Sequence, residues 1–468
     1  MTTQHEPDAL DRTGELHTSD DTGEPDPLDE FAALMRDEQV FSRGRVWSQA
    51  DLARRRRRRR RALLIVLVVV ALVLGGSGAY VGWALNAPLA EPEMVTRTPA
   101  APVPVAAPIE LPGGTASAIA ISGADEYLGV QDGVWGARGT DDPVPMASIT
   151  KLITALVVLD EVPLTGADDP GPTLSFDRAD HKLYDKYYVM GATIAAMPAG
   201  SSMSLRDALA TMLIPSACNY AEAIANWAFG SNWSFVQAAE RWLAANGLTH
   251  TTVVEPTGLD PRNTSTAADL IALGRIAAAQ PAIAAITAMP SFTAPGRDTV
   301  VNTNTLLGVH GVTGLKTGTL DEAGSNLLYT ASFDVRIGAP IDVVGVVLGG
   351  SSRSGVNGDV TDLLEGIAAG FHTVTVADRG RPVGDVTTPW GSTARLVLDA
   401  GASLRTWSDT PIEVTLDART PATWAEGATA GTVTWTTGPD TVTVPIVLDE
   451  GIEPPDGWWR LANPGDLG

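Results

Sequence analysis

Hydrophobic and polar positions are arranged in distinct ways along this chain, and each change of pattern marks a boundary. Residues 62–85 carry no charged side chain, 24 positions that open Ala62-Leu-Leu-Ile-Val-Leu-Val-Val-Val. A helix rising about 1.5 Å per residue needs roughly 20 residues to cross the hydrocarbon core, so the run predicts a single spanning helix. Arginines fill positions 54–61 on its N-terminal side, which sets that side inside, while Tyr80 and Trp83 suit the opposite interface. Residues 1–53 hold 13 acidic residues against 4 arginines and lack sustained periodicity. They read as a disordered cytoplasmic tail with one short helix at 28–37. Residues 86–114 contain seven prolines, an extended stalk by composition.

Beyond the stalk the periodicity is that of a packed domain. Residues 115–372 mix apolar strand runs (118–121, 341–348) with helical patterns (150–161, 204–213, 219–229, 234–246, 267–279), which predicts an α+β or α/β domain. From 373 to 468 the runs become short and alternating, at 373–376, 395–398, 412–416, 431–435 and 441–447. Separated by Gly, Pro and Asp turns, they predict a small β-sandwich.

Composition narrows the chemistry. The 468 residues carry a formal net charge of −23, which argues against a nucleic-acid partner. The single cysteine, Cys218, rules out an intramolecular disulfide framework, and the six histidines form no metal-binding spacing.

Three short motifs remain. In Met146-Ala-Ser148-Ile-Thr-Lys151, Ser148 and Lys151 lie three positions apart at a helix start and project from one face. A serine hydroxyl becomes a nucleophile once a neighbouring base takes its proton, and a desolvated lysine can be that base. The second motif, Ser216-Ala-Cys218-Asn219, opens an alanine-rich helix. The third, Lys316-Thr317-Gly318-Thr319, suits a strand that receives substrate alongside it, with polar groups for a carboxylate. Each alone also fits an ordinary helix cap or strand edge.

Their order is more specific. SxxK, a serine-led motif 68 residues later and KTG 100 residues after that follow the penicillin-recognising serine acyl transferases. With Pro256-Thr-Gly-Leu-Asp-Pro261 and residues 263–270, 302–307 and 314–327, the chain resembles the low-molecular-mass D-alanyl-D-alanine carboxypeptidases. The resemblance covers about 115–372, and the β-rich tail looks like the family's C-terminal domain. It implies an α+β penicillin-binding fold, a sheet flanked by helices with a helical subdomain, followed by the β-sandwich. It also implies that Ser148 attacks the D-Ala-D-Ala bond of a peptidoglycan stem peptide, with Lys151 as base and Ser216 passing a proton. Lys316, Thr317, Gly318 and Thr319 would hold the terminal carboxylate, with Cys218 and Asn219 beside the substrate amide. No metal or cofactor is called for, and β-lactams would inhibit by acylating Ser148.

Three departures qualify the match. The family's second motif is Ser-x-Asn, and Cys218 stands at the Asn position with Asn219 next to it. A thiol there should face the cleft and be reachable by alkylating reagents. No arginine aligns near Thr303 or Val356, where relatives contact the carboxylate, and Arg353, unmatched, is not assigned to the site. Relatives often carry a C-terminal amphipathic anchor, whereas residues 458–468 here are too short and too broken by Pro and Gly for one. Tyr184, Tyr187 and Tyr188 are candidates for the cleft rim. Two other readings stand beside the carboxypeptidase: a catalytically weak wall-binding scaffold or sensor coupled to an unknown partner of the acidic tail, and a serine β-lactamase. The second is disfavoured because the Glu255-Pro-Thr-Gly-Leu-Asp stretch resembles the carboxypeptidase sequence.

Overall fold

The computed structural model describes residues 48–129 and 133–468. The acidic tail up to residue 47, with the helix expected at 28–37, lies outside them. Two compact units result: Leu89–Asp456, and the N-terminal part through Pro88 together with Gly457–Gly468.

In the latter unit the apolar run forms one helix, Gln49–Asn86, long and apolar enough to cross a membrane. Its leucines and valines from Leu63 to Leu74 are exposed, the arrangement of a helix whose solvent is meant to be apolar.

The larger unit is built on a five-stranded antiparallel sheet in the order Val312–Leu320, Gly324–Phe333, Ile341–Gly350, Ala116–Ser122, Gly136–Gly139. The central strand, Ile-Asp-Val-Val-Gly-Val-Val-Leu-Gly-Gly, is buried along nearly all its length, because helices cover both sheet faces. On one face lie Ala267–Ala279 and a helical group, Thr150–Glu161, Leu205–Leu213, Cys218–Phe229 and Asn232–Ala245, sharing one core. On the other, Arg353–Gly370 buries Val356, Val360, Leu363, Leu364 and Ile367 against the sheet. Thr150–Glu161 and Ala267–Ala279 fall where the periodicity puts them. Arg178–Val189 has no apolar stripe to announce it, since Tyr187 is its one buried residue. Arg353–Gly370 is interrupted by glycines at 355, 358 and 366.

The C-terminal strands form a six-stranded and a two-stranded sheet around a core centred on Trp435. One strand of the larger sheet comes from far upstream. Glu93–Thr96, within the proline-rich stretch, pairs antiparallel with Pro382–Thr387, and Met94 packs on that core. Further along, the Ala107 amide donates to Ser408 Oγ (2.9 Å) and the Gly113 amide to Asp359 Oδ2 (3.0 Å), while Ile109 and Leu111 pack under the five-stranded sheet. The stretch is thus fastened along its length.

Candidate active site

Ser148 sits in a 3-10 turn, Ala147–Ile149, that runs into the helix Thr150–Glu161. The turn is strained: Ala147 has φ 49°, a left-handed conformation that costs a Cβ-bearing residue about 1–2 kcal/mol. Two backbone segments press on it from either side. A Cβ on Gly318 would lie 2.8 Å from Met146 O, and one on Gly258 would lie 2.1 Å from Ala147 O. Both positions therefore require glycine, and the strand carrying the KTG sequence runs directly past the Ser148 backbone.

One turn on from Ser148, Lys151 is fully buried. Its Nζ donates to Ser148 Oγ at 3.0 Å, to Thr257 O at 2.5 Å and to Cys218 Sγ at 3.4 Å. The carbonyl fixes the amine, leaving it aimed at the serine. The loop that supplies this carbonyl is organised by Glu255, whose carboxylate accepts from the amides of Thr257 (2.7 Å), Gly258 (2.6 Å) and Asp260 (3.3 Å) and from Asn263 Nδ2 (2.6 Å). Thr154 Oγ1 ties the loop to the helix by donating to Pro256 O (2.8 Å). Glu255 is thus committed to holding backbone.

The second motif divides its residues between two jobs. Ser216 is buried with φ 71°, another left-handed non-glycine residue at the site. Cys218 opens the helix Cys218–Phe229 and turns its sulfur to Lys151. Asn219, a helical step on, points elsewhere: its Oδ1 accepts from the Ala195 amide (3.1 Å) and its Nδ2 donates to Ala195 O (2.8 Å). It holds the adjoining 193–197 segment and is not directed at Lys151. The expected reachability of the thiol is corrected: Cys218 is 2% exposed, packed beneath the lysine. Tyr187 is likewise buried, its hydroxyl on Glu222, and Tyr184 is half-buried, so of the three tyrosines only Tyr188 is exposed.

Lys316 is buried in the third motif and donates to Thr317 O (3.0 Å). Thr317 Oγ1 shares a hydrogen bond with Thr303 Oγ1 (2.6 Å), placing Thr303 in the constellation. Burial, and then the charge of Lys151, hold the Lys316 ammonium well below the ordinary lysine range. The unfolded chain then binds a proton that the native one releases, so this group makes stability rise with pH through that window. Lys316→Met should flatten the rise, as read from urea unfolding across the alkaline range.

Arg353 belongs to this group although the sequence does not announce it. Thr319 pairs with Ser325, and Ser325 with Gly350, so the chain leaving the central strand arrives beside Thr319. There Arg353 Nη2 donates to Thr319 Oγ1 (3.3 Å). Ser148 is half-buried while Thr319 and Arg353 are exposed, so the constellation opens to solvent on the side where positive charge gathers.

A serine and a buried lysine in hydrogen-bond contact, a close-packed strand beside them and the nearby Lys316 and Arg353 side chains form an arrangement that could activate a serine for acyl transfer. A profile of the D-alanyl-D-alanine carboxypeptidase family matches residues 132–352, a span that holds all three motifs. Over that span, a little under half of the chain, it is similar to the D-alanyl-D-alanine carboxypeptidases, a family of serine peptidases. Arg353 lies just past the matched span. A D-alanyl-D-alanine endopeptidase of Pseudomonas aeruginosa is 38% identical over 139 residues, 29% of this chain and 41% of its own length. The D-alanyl-D-alanine carboxypeptidase DacD of Escherichia coli is 29% identical over 272 residues, 57% of this chain and 67% of its own. The match thus spans less than half of the first relative and about two thirds of the second. The crystal structure of penicillin-binding protein 6B from Escherichia coli shares the fold, with a TM-score of 0.50 at 21% identity, covering 74% of this chain and 98% of that one.

Proposed function

We propose that this chain is a membrane-anchored serine-type D-Ala-D-Ala carboxypeptidase that trims peptidoglycan stem peptides through an acyl-enzyme on Ser148. The observation that carries the reading is the buried Lys151 amine 3.0 Å from Ser148 Oγ. As Oγ attacks the carbonyl between the terminal D-alanines, its proton passes to Lys151 Nζ. The Ser148 and Thr319 amides receive the developing oxyanion. Ser216 relays the proton to the leaving D-alanine nitrogen as the C–N bond breaks, and water then resolves the ester. Lys316, Thr317, Thr319 and Arg353 hold the terminal carboxylate. The strained amide of a β-lactam enters by the same route and remains on Ser148.

The test is D-alanine release from a stem pentapeptide together with labelling by fluorescent penicillin. Both activities are expected from the wild-type chain, and a wild type unmodified at millimolar penicillin would sink the reading. Arginines before the apolar run support a tail inside and residues 86–468 outside. Protease added to intact cells should remove the outer part and spare an N-terminal tag.

Two variants probe the carboxylate and amide contacts. Arg353→Ala should raise KM for D-Ala-D-Ala peptides about tenfold with kcat nearly unchanged, as expected on losing one charge-assisted contact at an open site. A peptide amidated at its C-terminus should show no such difference. Cys218 favours a second reading, a slow enzyme that serves as a wall-binding sensor, because a thiol is a poor substitute for a carboxamide beside Lys151. Cys218→Asn should raise acylation about tenfold or more in stopped-flow penicillin binding. Unchanged kinetics would mean that the position does no work on the substrate.

A further inference from the structure

The C-terminal segment returns to the long apolar helix. Within the unit formed by these two pieces, the short helix Gly457–Ala462 lies against the end of Gln49–Asn86. Arg460 Nη1 donates to Ala84 O (3.3 Å) and Ala87 O (2.8 Å), carbonyls at the end of the helix, where no further turn supplies an N–H partner. A guanidinium at this place also meets the negative end of the helix dipole. Tyr80 Oη donates to Leu461 O (2.6 Å), and the Gly468 amide to Pro88 O (2.9 Å). Ala84 and Ala87 are buried beneath these contacts, although the apolar run before them is bare. Around the junction the aromatic side chains face outward: Trp458 is 81% exposed, Trp83 47% and Tyr80 37%, with the last two rings 6.0 Å apart.

We propose that Gly457–Gly468 is a clip that closes the outer end of the spanning helix, and that Trp458, with Trp83 and Tyr80, seats it in the headgroup layer of a phospholipid bilayer. The inference rests on the reading of 62–85 as a membrane span. Lipid is the occupant the observations favour, because the aromatic collar is continuous with an exposed apolar helix. Tryptophan and tyrosine combine an apolar ring with one polar atom, which is the match to an interface that is apolar on one side and wet on the other. The segment is too short to hold a membrane by itself. Its role is to terminate the helix that does and to fix its depth, so that both ends of the chain's outer part meet at one membrane site.

The test uses the full chain in phosphatidylcholine nanodiscs doped with a phosphatidylcholine bearing a diazirine near the headgroup end of its acyl chain. After irradiation, peptide mapping should find lipid adducts both within residues 62–85 and on the peptide holding Trp458. Trp458→Ala should remove the second set alone. Adducts confined to 62–85 would overturn the clip's seating while leaving the span intact, and adducts on neither would overturn both. Arg460→Gln should speed hydrogen exchange of the Ala87 amide at least tenfold, because the capped end then frays; unchanged exchange would overturn the clip itself.

Discussion

Ser148→Ala and Lys151→Met should each slow acylation by penicillin about 10⁴-fold or more, and the double variant should be no slower than either. The reason is that the two side chains act as one unit. Oγ is a nucleophile only while its proton has somewhere to go, and Nζ, 3.0 Å away, is the acceptor. Removing either abolishes the same event, so the losses do not add. What distinguishes the two is structural. Lys151 Nζ also donates to Thr257 O, so Lys151→Met leaves a buried carbonyl without its partner, at about 1–3 kcal/mol. Thermal unfolding should therefore separate them: Lys151→Met lowers Tm, while Ser148→Ala leaves it nearly unchanged. Additive losses in the double variant would show that the two residues work independently.

Gly258→Ala should damage fold and activity together. The residue has φ +81°, and its Cβ would stand 2.1 Å from Ala147 O and 2.9 Å from Ser148 N, both backbone atoms that cannot rotate away. Left-handed strain of about 1–2 kcal/mol and overpacking of about 1–3 kcal/mol together predict a loss of roughly 2–5 kcal/mol. At this domain size that corresponds to a Tm drop of roughly 5–15 °C. Activity should fall by about 10²-fold as well, since the loop that retreats carries the Thr257 carbonyl away from Lys151. Gly230→Ala is the control: φ +79° with nothing within 4 Å of its Cβ, so it loses the backbone term alone and keeps full activity. Equal effects of the two substitutions would mean that the close approach to Ala147 carries no weight.

Much of this site could be read from residues alone, because its informative part is local. Ser148 and Lys151 are three positions apart on a strongly periodic helix, and the KTG sequence lies in one strand. What escaped depends on contacts remote in sequence. Arg353 reaches Thr319 only through the pairing of three strands, which no periodicity encodes. Asn219 could be placed one helical step from Cys218, but its bonds to Ala195 depend on where the 193–197 segment passes. Glu255 reads as a free carboxylate until its loop folds around it. The stretch 86–114 reads as a stalk because proline density reports local stiffness and says nothing about a strand partner nearly 300 residues downstream.

That last feature bears on how a soluble fragment should be cut. Composition invites a start at residue 115, after the prolines. Such a fragment would discard Glu93–Thr96 and bare the row of amides and carbonyls along Pro382–Thr387. An uncovered row of this kind is a template for another chain, and the loss of Met94, Ile109 and Leu111 would open apolar surface beside it. A fragment beginning at Leu89 keeps the covering strand; one beginning at 115 would be prone to aggregate, and its failure would say nothing about the enzyme.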